Sequence, residues 1–246
     1  MKKMVVVLGV LVSAACISFV VDQNNEGVIQ YETKVNMHRN LPKEREELKA
    51  MIPEFRTMKD QLFFNSEESL YKPLEEDEPE ENFGGGGMQI RLRRPSVEIY
   101  VNRSNAQRLV RQEFMGKNYL IEDSLSIAPW KFGSETKEVL GHLCRQAYYS
   151  SERDGRTQEI TAWFTDKIRP FLGPEGYNTL PGAVLAVDIN NGERIIVATK
   201  IDIRELKKNE LKTPSGGTRV TQEELNKLVA EQTEKMRANG GVVIRN

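Results

Sequence analysis

At 246 residues, 39% hydrophobic and 29% charged, the chain carries enough apolar material for a buried core, which excludes fibrous and wholly disordered classes. Its formal net charge of −1 gives no global electrostatic grip on nucleic acid, so a nucleic-acid partner is disfavoured. The length fits one β-rich domain.

Met1-Lys2-Lys3-Met4 precedes an apolar run over residues 5–21, with the small residues Ser13, Ala14 and Ala15 ahead of Cys16. A charged start, an apolar stretch and small residues are the parts of a secretory signal, so residues 1–21 are read as a signal peptide or N-terminal anchor. Three outcomes fit: cleavage near Ala14 or Ala15, lipid attachment to Cys16, or an uncleaved anchor. Any membrane contact is expected only through this leader or through lipid on Cys16. Cys144 is the other cysteine, so no disulfide is expected within a mature chain.

From Val28, apolar residues alternate through Ile29, Tyr31, Val35 and Met37, which predicts a first strand. Leu41-Pro42-Lys43-Glu44 opens a helix with Leu48, Met51 and Ile52 on one stripe, because proline is tolerated in a first turn. A strand follows over 56–65, with Met58, Leu62 and Phe64 on one side, and 66–71 is its hairpin partner. Residues 75–87, EEDEPEENFGGGG, read as a disordered loop: clustered like charge and four glycines offer little apolar area to offset ordering entropy. A phosphate cradle is excluded there, since no Lys-Ser or Lys-Thr follows Gly87.

A meander is predicted next: strands over 97–101, 108–114 and 118–125, with Met115-Gly116-Lys117 as a tight turn. Ile127-Ala128-Pro129-Trp130 leads to Lys131-Phe132 and a turn at Gly133-Ser134, and residues 138–149 read as one long strand. After a turn at Arg153-Asp154-Gly155-Arg156, Ile160, Ala162 and Phe164 share one strand face and Thr161, Trp163 and Thr165 the other. Pro170, Gly173-Pro174 and Gly176 forbid regular structure, and Leu180-Pro181-Gly182 turns the chain into a buried strand over 183–189. Asn190-Asn191-Gly192 is a hairpin signal joining it to a strand over 193–203. Residues 207–220 are read as a linker and 221–246 as a C-terminal helix and short strand. Thr221 and Glu224 form a capping box, and Leu225, Leu228, Val229 and Met236 make a sparse stripe.

Residues 162–168 (AWFTDKI), Gly173-Pro174 and Thr179-Leu180-Pro181-Gly182-Ala183-Val184 resemble the signature of the GLPGLI family, secreted or envelope proteins of Bacteroidetes. The motif departs from the family's name at its first position and its last two, and keeps the Leu-Pro-Gly centre. Lys117 to Asp123, Trp130, Glu135 to Gly141, Cys144 and Ala147 strengthen the likeness, which spans residues 27–206. The resemblance implies an exported protein, periplasmic or associated with the outer membrane. It assigns no activity, since the family's molecular function is not established.

His142 and Cys144 project to one strand face as possible soft ligands, but His38 is the only other histidine and a structural zinc site takes four ligands. Asp166, Asp188 and Glu122-Asp123 form no set that spacing brings together. No catalytic residue, metal or cofactor is therefore assigned. Trp130, Trp163, Phe164, Phe171, Tyr177 and Leu180 are either core or the lining of an apolar pocket, and Leu180, Pro181 and Gly182 form the signature turn. The expected fold is α+β: one curved antiparallel meander of roughly eight to eleven strands with two packed helices. It is similar to the half-barrel lipoprotein-carrier fold, an analogy of fold alone. Two functions lead: an envelope protein binding an apolar small molecule or lipid, and a structural or interaction module with an envelope protein partner. An enzyme ranks behind both.

Overall fold

The computed structural model describes residues 25–39, 41, 43–74, 81–83, 90–92, 96–153 and 156–238. The strands are β1 (Gly27–Asn36), β2 (Phe55–Phe64), β3 (Glu68–Pro73), β4 (Glu81–Phe83), β5 (Ile90–Leu92), β6 (Val97–Asn102) and β7 (Gln107–Phe114). They continue with β8 (Lys117–Ser124), β9 (Lys131–Val139), β10 (His142–Arg153), β11 (Arg156–Thr165), β12 (Ala183–Ile189), β13 (Arg194–Ile203) and β14 (Thr218–Val220). A 3-10 helix spans Lys43–Ala50 and α1 spans Gln222–Ala238. Twelve strands form one open sheet in the order β14-β8-β7-β6-β3-β2-β1-β13-β12-β11-β10-β9, antiparallel except where β14 runs parallel to β8.

Alternation along β1 decides one face of this sheet. Ile29, Tyr31, Thr33 and Val35 are buried together. Register carries that face outward on one side through Ile29↔Leu62, Leu62↔Tyr71, Tyr71↔Ile99, Ile99↔Val110 and Val110↔Ile121. On the other side it runs through Thr33↔Ile196, Ile196↔Val187, Val187↔Ala162 and Ala162↔Ala147. Apart from Thr33 and Val35, these residues make up the sheet side of the main core. Each fully buried aliphatic or aromatic side chain there contributes roughly 1.5–3 kcal/mol, so the inner face dominates stability.

Connectivity forces the sheet to bend. β8 and β9 stand ten places apart in the strand order, on the order of 48 Å in a flat sheet. Residues 125–130 alone join them, and such a link reaches about 25 Å when fully extended. The two ends of the sheet therefore curl toward each other around the inner face, while β9 and β14 remain unpaired with one another.

The C-terminal part clasps the β8 end. From β13 the chain crosses the outer face, where Leu211 packs against Leu70, Tyr100 and Leu109. Thr218–Val220 then adds the edge strand, and α1 returns Leu225 and Val229 to the inner core. The predicted capping box is present: Thr221 N donates to Glu224 Oε2 at 2.8 Å and Glu224 N to Thr221 Oγ1 at 3.1 Å.

Several expectations are corrected. The sheet has twelve strands, more than the meander estimate, and the described residues hold one α-helix; the segment expected as the first helix is a 3-10 turn that leaves Ile52 packed with Val35, Met37 and Met58. The long strand over 138–149 is two strands. Leu140 and Gly141 both take positive φ, 52° and 78°, and fold Val139 back onto His142 as a tight hairpin. A leucine in that conformation opposes its own preference, which is why alternation reads straight through the turn. The end of the 207–220 linker is β14. Within 75–87, Glu81–Phe83 pairs with Ile90–Leu92 as a separate two-stranded sheet, and the rest of that stretch lies outside the described residues. So do the leader with Cys16, Gly155 and Asp154 of the predicted turn, and the expected strand after α1.

Candidate functional site

The connection between β11 and β12, residues 166–182, lies over the inner face and fills it. Ile168, Leu172 and Leu180 are all within 1% of complete burial in the main core. Backbone bonds fix the path: Phe171 N donates to Leu180 O at 3.1 Å, Tyr177 N to Pro174 O at 3.0 Å, and Val184 N to Leu172 O at 2.8 Å. Tyr31, reaching up from β1, donates its hydroxyl to Val184 O at 2.8 Å, and burial pushes its pKa far up, so it remains a donor.

Two glycines are required by proximity. A Cβ on Gly173 would stand 2.1 Å from Tyr177 O, and one on Gly182 would stand 2.1 Å from Thr165 O. The φ of Gly182 lies outside the left-handed region, so close approach of two backbones is what requires glycine there.

Arg169 clamps this loop to the β2–β3 turn. It is only 3% exposed, and its guanidinium donates to Asn65 O, to Pro170 O at 3.0 Å and to Glu68 O at 2.7 Å. Burial lowers its pKa to about 10, so it stays charged at neutral pH. At the other end of the sheet, Thr179 Oγ1 accepts from Trp130 Nε1 at 3.1 Å and from Ala128 N at 3.2 Å. Trp130 in turn stands edge-on to Tyr149, ring centroids 4.5 Å apart.

The six pocket candidates therefore separate. Phe164 and Leu180 are core, with Phe132 and the Arg145 guanidinium against the Phe164 ring. Trp163 is half-buried on the opposite sheet face beneath the Lys137 ammonium, 4.8 Å from its ring. Trp130 and Tyr177 are half-buried in the loop's packing. Phe171, at φ 60°, borders a cleft of about 440 Å³. Its other walls are Glu67 of the β2–β3 turn, Arg103, Ser104 and Ala106 of the β6–β7 turn, and Leu125 and Ile127 of the β8–β9 connection. A neighbouring polar cleft of about 470 Å³ shares Ala106 and is lined by Glu122 and Asp123. Glu122 there is held by Gln107 at 2.9 Å and Arg219 at 3.1 Å.

Sequence reasoning missed Glu67, Arg103 and Arg169. The Asn102 and Asn105 turn residues flag a loop, but no local signal says that four loops converge.

The candidate reactive groups stand apart from one another, each with its own neighbours. Cys144 is fully buried, its Sγ faces His142 O at 3.5 Å, and burial raises its pKa to about 11, so a thiolate at neutral pH is disfavoured. Asp166 stands 3.8 Å from Arg145, and Asp188 accepts from Gly192 N at 2.6 Å within the Asn190–Gly192 hairpin. Among the described residues no group of three or more His, Cys, Asp or Glu could hold a metal, and no helix is long and apolar enough to cross a membrane.

The architecture of the described residues is thus a predominantly antiparallel, open twelve-stranded sheet with one α-helix, its inner face filled by its own loop. No family model matches the chain, and no curated protein matches it. Two solved structures of PNGF-II, in P21 and C2 space groups, are similar in fold, with TM-scores of 0.52 and 0.54. Each is 16% identical and covers 84% of this chain; the chain covers 34% and 33% of theirs, about a third of the PNGF-II length.

Proposed function

We propose that this is an exported cell-envelope protein, related to the GLPGLI family, that acts by binding an apolar ligand and not by catalysis. The observation that supports it is the cleft: Phe171 of the β11–β12 connection meets Leu125 and the 70%-exposed Ile127 of the β8–β9 connection at one concave site. The half-barrel carrier analogy agrees with the bend that the short β8–β9 link imposes. It is modified in one respect: the signature loop occupies the inner face, so the ligand sits at the mouth beside the loop. The leader-like residues 1–21 support export.

Two measurements test this. N-terminal sequencing of protein from the envelope fraction should find the leader removed, and an intact Met1 on soluble cytoplasmic protein overturns export. The neutral probe N-phenyl-1-naphthylamine should bind saturably and be lost in Ile127→Ser with unfolding unchanged. Absence of saturable binding overturns the ligand role.

A second reading, a structural or interaction module of an outer-membrane system, is favoured by the β9–β10 end of the sheet. Phe132 and Leu143 are 62% and 67% exposed there, on a hairpin whose outer strand pairs on one edge only among the described residues. The PNGF-II likeness, in which a fold of this kind makes up part of a longer chain, is compatible with such a role. Phe132→Ser with Leu143→Ser would then abolish co-purification of an envelope partner while leaving probe binding intact.

A further inference from the structure

We infer that the cleft beside Phe171 is built for an amphiphilic anion, an acyl or aromatic carboxylate of modest size, with its apolar part on Phe171, Leu125 and Ile127 and its carboxylate on Arg103. The inference rests on the apolar-ligand reading above and adds the ligand's charge. At about 440 Å³ the cleft has the volume of a small-molecule site. Its lining combines the apolar Phe171, Leu125 and Ile127 with the charged Arg103 and Glu67.

Among the described residues, the charges around Arg103 and Glu67 do not balance. Arg103 Nη2 stands 3.5 Å from Glu67 Oε1, at the outer limit of a hydrogen bond, and both side chains are open to solvent, 35% and 47% exposed. Behind them lies the Arg169 guanidinium, buried and bonded to three carbonyl oxygens, with no carboxylate among those partners. Arg103 and Arg169 repel each other electrostatically, and Glu67 attracts Arg169. Two cations therefore share one carboxylate. The adjacent carboxylates are engaged elsewhere: Glu68 takes the Tyr100 hydroxyl, Glu122 takes Arg219, and Asp123 faces Arg108. A ligand carboxylate placed at Arg103 supplies the missing negative charge and can form a paired, charge-assisted bond that the long Arg103–Glu67 contact does not.

The cleft walls are also held in place. Ala106 and Phe171 both take positive φ, 54° and 60°, a conformation that non-glycine residues adopt only when neighbours impose it. Leu125 N donates to Ala106 O at 2.7 Å and Phe171 N to Leu180 O at 3.1 Å, which anchors the backbone of these two lining residues.

The full chain should be titrated with 8-anilinonaphthalene-1-sulfonate, an anionic probe, and with neutral N-phenyl-1-naphthylamine, each then competed with decanoate or decanol. Decanoate should displace the anionic probe about tenfold more effectively than decanol, the factor that one charge-assisted bond supplies. Arg103→Gln should remove that preference, and Glu67→Gln should tighten anion binding several-fold by freeing Arg103. Both residues are exposed, so thermal unfolding should not move. Equal displacement by decanoate and decanol, or a Glu67→Gln variant that binds the anion no better, overturns the inference and leaves apolar binding standing. Failure of both probes to saturate overturns this inference and the ligand reading together.

Discussion

Gly182 and Thr165 touch backbone to backbone where the signature loop re-enters the sheet: a Cβ added at Gly182 would lie 2.1 Å from the Thr165 carbonyl oxygen. Because the obstacle is main chain at the end of β11, it cannot rotate aside. Gly182→Ala should cost about 2 kcal/mol or more, at the upper range of overpacking. Gly176 has open space around its missing Cβ and serves as the control, with Gly176→Ala near neutral. Urea unfolding of the two variants decides it, and equal midpoints would reject the close-approach account.

Arg169 holds the same loop from its other side. Arg169→Met keeps the apolar stem but leaves the carbonyls of Asn65, Pro170 and Glu68 without their guanidinium donor. Buried acceptors stripped of a charged partner predict a loss of about 3 kcal/mol or more. The measurement is the chemical unfolding midpoint; a loss below about 1 kcal/mol would mean that water replaces the guanidinium.

Cys144 should behave as a packed methylene-sized group and not as a reagent. Its thiol is fully buried and its pKa is raised to about 11, so dithionitrobenzoate at mildly alkaline pH should leave it unmodified in the folded protein. In a Cys16→Ser background one thiol should titrate after unfolding. Rapid stoichiometric reaction before unfolding would contradict its burial.

The strap across the outer face is pinned by Arg204, whose guanidinium bonds Glu210 at 2.7 and 2.8 Å. Those bonds hold the Glu210 carboxyl down at about 2, from an ordinary 4.5. The folded state therefore binds this proton less readily than the unfolded state: the stabilisation is complete above 4.5 and vanishes as pH falls through about 2. The pair is solvated, so its worth is about 1 kcal/mol or less. Glu210→Gln should lower the urea midpoint at neutral pH and match the wild-type chain near pH 2. A difference that persists at that acidity would assign the effect to packing.

Local chemistry alone determined much of this molecule. The alternation of Ile29, Tyr31 and Val35 predicts the buried face of β1, because side chains two apart on a strand meet the same neighbours whatever those are. Asn190, Asn191 and Gly192 predict the β12–β13 turn, where all three take positive φ, and Thr221 with Glu224 predict the start of α1. Each of these signals lies within a few residues.

Only the tertiary structure decided the rest. β9 shows no alternation, since an edge strand with both faces largely exposed has no apolar side to repeat. Leu140 becomes a turn because β9 and β10 pair strongly enough to hold a leucine at φ 52°. Phe171 was legible as an aromatic near the signature, but the cleft it borders is assembled from Glu67, Arg103, Leu125 and Ile127, brought in by three other loops. Their meeting depends on a six-residue link bending a twelve-stranded sheet until its ends approach, and strand order of that kind is a long-range property that no window of sequence contains.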